Sequence, residues 1–212
     1  MIEVSAAFAH SAAVDEAGGL WTWGSSQWGK LGHKCRGRIE QDESHKIRQP
    51  KQVATLASQR VRHVSACNET TFAVTASGRL YGWGLADMGV LGIGEEDVCE
   101  HGEWTPRHVV ALEGTPVRQV SSDVPGHSVV LTEAGEVYTM GEWEWVEEPD
   151  DMFGQPEFHH ITTQWVPTLV NALLPPCGPV VEVLATQEGA MMRTAGGKMF
   201  RFNAELSYNR FR

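Results

Sequence analysis

The sequence predicts an all-β protein whose four-stranded antiparallel sheets are arranged as the blades of a β-propeller. Three observations predict this fold. The periodic segments have strand patterns, a valine strand followed by a glycine turn occurs four times, and the valine precedes the glycine by 14, 14, 15 and 14 residues. Successive turn glycines are 60, 57 and 62 residues apart. A repeat of this length with strand signals alone indicates radial repetition of small sheets.

The clearest repeat lies between residues 64 and 84. Thr71-Phe72-Ala73-Val74 leads into a turn at Gly78, and the next strand alternates small or polar with large apolar residues and ends at Trp83-Gly84. Glycine suits this turn because it adopts the positive φ that a tight hairpin requires. Each repeat is therefore expected to contain a valine strand, a middle strand and a strand that follows the glycine turn.

A proline strand recurs between the repeats, at Pro50, Pro106 and Pro167. Proline suits an edge strand because it cannot donate to the ladder, and we expect each proline strand to open the blade that follows it. The predicted blades, within one domain of residues 1–212, are 2–24, 50–84, 106–141 and 167–203. The sequence thus predicts three complete blades and one incomplete N-terminal blade that lacks its proline strand.

The pattern resembles the regulator of chromosome condensation repeat. His10-Ser11 and His127-Ser128 match its His-Ser position, Trp23-Gly24 and Trp83-Gly84 match its Trp-Gly position, and the loop 29–32 matches its glycine loop. The resemblance implies a propeller that usually closes with seven blades. This chain contains fewer than four complete blades, so we expect it to form a partial ring. Three explanations of the small number of blades remain open. A second chain or a second copy completes the ring, the chain is part of a longer polypeptide, or the four blades close into a ring alone.

Composition narrows the possible partners. A formal net charge of −10 and an isoelectric point near 5.3 argue against nucleic acid, because binding to phosphates depends on clustered Lys and Arg. The sequence contains no apolar run as long as a membrane span and shows no signal peptide. Four cysteines without a C-x-x-C pair predict free thiols in an intracellular, reducing compartment, the cytoplasm or the nucleus.

Few residues suggest catalysis or metal binding. His10 and His127 titrate in a range suited to acid–base chemistry, but they share one repeat position, which favours a structural hydrogen bond to the adjacent sheet. The pairs His33/Cys35 and Cys99/His101 offer thiol and imidazole ligands at an atypical spacing for zinc. We expect no catalytic residue, no metal and no cofactor.

The candidate partner-binding surface combines tryptophans and carboxylates. We expect three regions to face a partner: an acidic segment after the third predicted blade, the first glycine loop and the polar insertion 33–49. The residues of the acidic segment are Trp143, Trp145, Glu147, Glu148, Asp150 and Asp151, and the residue of the first glycine loop is Trp28. Aromatic anchors ringed by charge are typical of protein-binding hot spots. The alternative for the two tryptophans of the acidic segment is a satellite packing cluster.

Two functions remain open at this stage. The first is a non-catalytic interaction or scaffold module within a larger assembly, with protein partners. The second, implied by the resemblance to the repeat's founding member, is guanine nucleotide exchange on a small GTPase. The acidic charge fits chromatin binding poorly.

Overall fold

In the computed structural model, the described residues are 2–34, 46–95, 102–123, 126–147, 158–170, 178–186, 189–202 and 209–210. They form sixteen strands in four antiparallel sheets. The first sheet contains β1 (Glu3–Ala6), β2 (His10–Val14), β3 (Leu20–Ser25) and β4 (Lys46–Gln52). The second contains β5 (Val61–Cys67), β6 (Thr70–Thr75), β7 (Leu80–Gly84) and β8 (Glu103–His108).

The other two sheets repeat this order. The third contains β9 (Val117–Asp123), β10 (His127–Thr132), β11 (Val137–Glu147) and β12 (Phe158–Leu169). The fourth contains β13 (Val180–Thr186), β14 (Gly189–Thr194), β15 (Met199–Phe202) and β16 (Asn209–Arg210). The predicted all-β fold, with four-stranded antiparallel blades, is confirmed.

The sheets pack on one another in chain order, and their valine strands β1, β5, β9 and β13 lie side by side at the inner edge. Three apolar clusters fill the three joints between consecutive sheets. The ring formed by these sheets is open, as the partial-ring prediction expected. In the part of the chain that the structure describes, the outer faces of the first and fourth sheets have no sheet packed on them.

The assignment of the proline strands was wrong. Each proline strand is the outer fourth strand of the preceding sheet: Trp21 pairs with Gln52, and Tyr81 pairs with His108. Consecutive antiparallel strands pair with each other, and an outer edge tolerates the missing N–H of proline. The segment after the proline strand then crosses, through a short 3-10 turn at Ala54–Leu56 in the first case, to the inner edge of the next sheet.

Among the described residues, the incomplete blade is consequently the last rather than the first. The first sheet has all four strands, whereas the outer strand of the fourth sheet consists of two residues, Asn209–Arg210, which pair with Arg201 and Phe200. The predicted blade bounds shift accordingly, so that each sheet begins at a valine strand and the first three sheets end at a proline strand.

The predicted acidic insertion after residue 141 is in part a strand. β11 extends to Glu147 and pairs with β12 as far as Phe158. The alternation of glutamate with tryptophan in this segment is a period-2 pattern, and the sheet continues through it. Likewise, residues 46–49 of the predicted polar insertion belong to β4.

Candidate protein-interaction surface

Two glycine loops follow the third strands of the first and second sheets, and each loop packs against the next sheet. The first loop, residues 27–32, follows β3, and the second, residues 87–92, follows β7; each begins with a short 3-10 turn. Gly29 has a φ of 80° and lies so close to β8 that an added Cβ would come within 2.6 Å of the Cα of Trp104. Only glycine permits this approach, so the loop seals the joint between blades.

The first glycine loop presents a backbone carbonyl to the second sheet. Trp83 Nε1 donates to the Lys30 carbonyl oxygen at 2.9 Å, and Thr71 Oγ1 donates to the same oxygen at 2.7 Å. The second loop repeats the contact, since Ser128 Oγ donates to the Val90 carbonyl oxygen at 3.1 Å. The Trp-Gly and His-Ser positions of the repeat therefore bind the preceding loop.

The Lys30 side chain is fully buried and forms an ion pair with Glu69, which lies in the turn between β5 and β6. Burial of an ammonium group is costly unless a counter-charge is in contact. The pair thus ties the first glycine loop to the β5–β6 turn and contributes to the joint rather than to a reactive site.

The two repeat histidines have the structural role that their position suggested. His10 Nε2 and Thr71 Oγ1 are 2.8 Å apart, and His127 Nε2 lies 3.1 Å from the Gly189 carbonyl oxygen, so each histidine bonds to the next sheet. Desolvation, together with the nearby Lys30 ammonium, lowers the pKa of His10 to about 4. His10 is therefore neutral at physiological pH and serves packing.

The candidate metal ligands give no site in the described residues. Cys35, Cys99 and His101 lie outside those residues, and His33 Nε2 is 3.0 Å from Thr22 Oγ1. The described part of the chain holds no group of three His, Cys, Asp or Glu residues arranged for a metal.

The described part of the chain also contains no helix that is long and apolar enough to cross a membrane.

The structure describes the two tryptophans of the acidic segment to different extents. Trp143 is 3% exposed, packs in the cluster between the third and fourth sheets, and its ring lies 4.8 Å from that of His127. The expectation that Trp143 faces a partner was wrong, and the packing alternative holds for it. For Trp145 and Glu147 the structure describes the strand backbone alone. The remaining carboxylates, Glu148, Asp150 and Asp151, lie outside the described residues.

Large apolar side chains are instead exposed along one rim of the blades, which we call the loop rim. Its members are Phe8, Trp28 and Met88. The Ser25 N–H donates to the Ala9 carbonyl oxygen at 2.8 Å, so the β1–β2 turn that carries Phe8 adjoins the start of the first glycine loop. Phe8 is 97% exposed, Met88 is 43% exposed, and Trp28 is half-buried.

The two loop residues of the rim occupy the same repeat position in a left-handed backbone conformation. Trp28 has φ 58° and ψ 12°, and Met88 has φ 59° and ψ 20°. Of the three rim residues, Trp28 alone was predicted from the sequence to face a partner. Alignment of the two glycine loops would have identified Met88 as the equivalent of Trp28. Phe8 could have been recognised because it is an aromatic residue in a turn where the next repeat has the polar Asn68.

The four blades, joined by glycine loops and repeat histidines, define a segment of a β-propeller. The sequence model of the regulator of chromosome condensation (RCC1) repeat matches residues 17–74 and 77–123. The chain belongs to the RCC1 repeat family.

Known proteins resemble the chain over most of its length. The E3 ubiquitin-protein ligase HERC2 of Homo sapiens is 35% identical over 144 residues, which are 66% of this chain and 3% of HERC2. The ultraviolet-B receptor UVR8 of Arabidopsis thaliana is 32% identical over 142 residues, 66% of this chain and 29% of UVR8. The structure of Prp20p from Saccharomyces cerevisiae aligns with a TM-score of 0.69 at 20% identity, over 95% of this chain and 44% of Prp20p. The chain thus spans less than a third of either relative, and the likeness to Prp20p shows the fold.

Proposed function

We propose that the chain is a non-catalytic protein-binding module of a larger assembly and that the loop rim contacts the partner. The observation that carries the proposal is the exposure of Phe8 and Met88 on one rim, beside the half-buried Trp28. Exposed apolar residues grouped on one side of a protein mark interaction sites, and aromatic and Met side chains are enriched in the cores of protein interfaces.

The backbone of the loop rim supports a role in contact. A bulky residue at positive φ is strained relative to glycine, yet Trp28 and Met88 both occur in this conformation. Folding alone would be served at least as well by glycine. Side chains retained at such positions fit a binding role.

Charge indicates the chemistry of the partner. Asp87 is exposed beside Met88, and the chain carries a formal net charge of −10. A partner with an apolar pocket bordered by Lys or Arg suits this rim, and its association should slow as salt rises. We include Trp145 and the carboxylates Glu147, Glu148, Asp150 and Asp151, which lie at the end of β11 or follow it in the sequence, as a second acidic contact.

The test compares rim variants with a matched control on the opposite rim. Met88→Gly and Phe8→Ser each remove an exposed apolar side chain, and Val110→Ser does the same where Val110 is 69% exposed, away from the loop rim. In quantitative affinity purification from the native source, partners should be lost with the two rim variants and retained with Val110→Ser. Equal loss with all three variants, or loss with none, would overturn the proposal.

Guanine nucleotide exchange is the second candidate, and it comes from the family resemblance and from Prp20p, which was studied for binding to Gsp1p and histones. The measurement is release of a fluorescent guanine nucleotide from purified small GTPases in the presence of the chain. Under the proposed function the release rate stays at its spontaneous value. An acceleration that Met88→Gly abolishes would replace the first proposal by the second.

The compartment expected from the sequence remains part of the proposal. Cys67 is a free thiol, and burial raises its pKa to about 12, which makes it unreactive. An unreactive free thiol is compatible with an intracellular, reducing environment.

A further inference from the structure

The three joints between blades use equivalent residues. Each sheet has an outgoing face, which contacts the next sheet, and an incoming face, which contacts the previous one. The outgoing sets that are buried in the joints are Ala12/Val14/Leu20, Phe72/Val74/Leu80 and Val129/Leu131/Val137. The incoming sets that meet them are Val64/Ala73/Trp83, Val120/Val130/Met140 and Val183/Met192.

The incoming face of the first sheet carries the same apolar set with no sheet against it. Its equivalents of Val64/Ala73/Trp83, 60 residues earlier, are Val4/Ala13/Trp23. Val4 is 55% exposed, whereas Val64 is 2% exposed. The first sheet is therefore built like a sheet that receives a preceding blade.

The polar part of the joint is repeated as well. In the second sheet, Thr71 and Trp83 both bind the carbonyl oxygen of the preceding glycine loop. The equivalents in the first sheet are Ser11 and Trp23, and the structure gives neither side chain a hydrogen-bond partner within the described ranges. Two donors are thus positioned for a loop carbonyl that the described residues do not supply.

The inner strands show the same relation. The Glu3 carboxylate accepts from the Val64 N–H at 2.9 Å, and the Gln119 carboxamide accepts from the Val183 N–H at 3.2 Å. In each bond an amide of the next valine strand donates to an outgoing side chain. The equivalent amide in the first sheet is that of Val4, and no described side chain binds it.

The outgoing face of the fourth sheet departs from the pattern. Its set is Met191/Arg193/Met199, in which Arg193 replaces the buried valine or leucine of the other sheets. Arg193 Nε donates to Glu182 Oε2 at 2.7 Å, and Glu182 occupies the position from which Glu3 and Gln119 reach the next blade. This face forms its ion pair within its own sheet, beside the exposed side chains of Leu184 and Met199.

We infer that the incoming face of the first sheet binds a further blade of the same repeat class, whose glycine-loop carbonyl is held by Trp23 and Ser11, and that the outgoing face of the fourth sheet binds none. Continuity with the three existing joints identifies the occupant, because Val4, Ala13 and Trp23 match an incoming face residue by residue. A second copy of the chain would have to offer its own outgoing face, which carries Arg193 and Glu182. This inference specifies one contact of the assembly proposed above and does not depend on the loop rim.

The test adds a blade to each end of the full chain in turn. Residues 61–116, which contain the second blade and its crossover, are placed before Met1 in one protein and after Arg212 in another. Val4→Cys and Leu184→Cys report the two faces, because Leu184 is 54% exposed on the outgoing face of the fourth sheet. The rate of thiol labelling is followed by peptide mass spectrometry, with Val110→Cys as the control.

The N-terminal blade should slow labelling of Val4→Cys by about tenfold or more, as expected for a side chain that becomes buried. The C-terminal blade should leave Leu184→Cys unchanged, and Val110→Cys should label at the same rate in every protein. Protection of Leu184→Cys, or no protection of Val4→Cys in a folded extended protein, overturns the inference. Adding Trp23→Asp to the N-terminal extension should restore fast labelling.

If the extended proteins do not fold, a measurement on the unextended chain tests whether the incoming face of the first sheet is free. Amide hydrogen exchange should be fast at Val4 and Ala6 and slow at Val64 and Ala66, whose amides are bound by Glu3 and Ser5. Slow exchange at Val4 and Ala6, with labelling of Val4→Cys blocked in an oligomer, would mean that a second copy already covers the face. Met88→Gly should change none of these readouts, which separates this inference from the function of the rim.

Discussion

Removal of the Trp83 side chain should destabilise the protein far more than removal of its repeat equivalent Trp23. Trp83 is fully buried between the first and second sheets, and its indole N–H is bonded to the Lys30 carbonyl oxygen. Trp23 occupies the same position in the first sheet but lies on the free incoming face, where it is half-exposed. The two substitutions are chemically identical, so their difference measures the joint between blades.

The magnitude follows from burial. Truncation of a buried aromatic residue to alanine costs about 3–5 kcal/mol, because transfer free energy is lost and a cavity remains. The lost hydrogen bond adds little, since Thr71 still donates to the Lys30 carbonyl at 2.7 Å. Trp83→Phe should cost about 1–2 kcal/mol, mainly because the side chain loses less volume than in the alanine variant. Trp23→Ala should cost less than about 1 kcal/mol, as is usual for a substitution outside the core.

Urea unfolding followed by far-ultraviolet circular dichroism measures these costs. With a slope of about 2–3 kcal/mol/M, Trp83→Ala should lower the midpoint by more than about 1 M, and Trp23→Ala by less than about 0.5 M. Equal slopes for wild type and variants are the control for an unchanged extent of unfolding. If both alanine variants shift the midpoint equally, the first sheet is covered in the purified protein and the description of its face as free is wrong.

The remaining predictions concern buried titratable groups. Burial lowers the pKa of His10 to about 4, against 6.5 for an exposed imidazole, so the unfolded chain binds a proton first as pH falls. Up to about 3 kcal/mol of stability present above pH 6.5 should be lost on acidification to pH 4, and urea titrations of wild type and His10→Asn should differ by this amount. Glu69→Gln should cost about 3 kcal/mol because it leaves the buried Lys30 ammonium without its counter-charge. Adding Lys30→Met should recover most of the loss in thermal melts; no recovery would show that the charge was not the cause.

Much of the blade could be predicted from the sequence because its determinants are local. The run of residues that leads into the turn, the turn at Gly78 and the alternation along β7 require information from neighbouring positions alone. The equivalence of Gly18, Gly78, Gly135 and Gly197 then extended one hairpin to four. Of the residues predicted from the sequence to face a partner, Trp28 lies on the loop rim.

The pairing of the proline strands was decided by tertiary structure. The strand at Pro50 lies between two repeats in the sequence, and its alternation fits either neighbouring sheet. The hydrogen bonds of β4 with β3 assign it to the first sheet, because an outer edge accepts a residue without an N–H. The same limit applied to Trp143, whose acidic neighbours suggested a surface loop while its own side chain packs against the fourth sheet.

The sequence by itself determined the repeat, the strand content and the positions of the turns. The tertiary structure alone decided which faces are covered. Val4 and Val64 have the same local sequence role, but burial depends on what packs across the joint, and that partner is distant in the chain or outside the described residues. The exposure of Phe8 is decided in the same way. Local patterns specify a blade, whereas contacts between blades determine which of its faces remain available for binding.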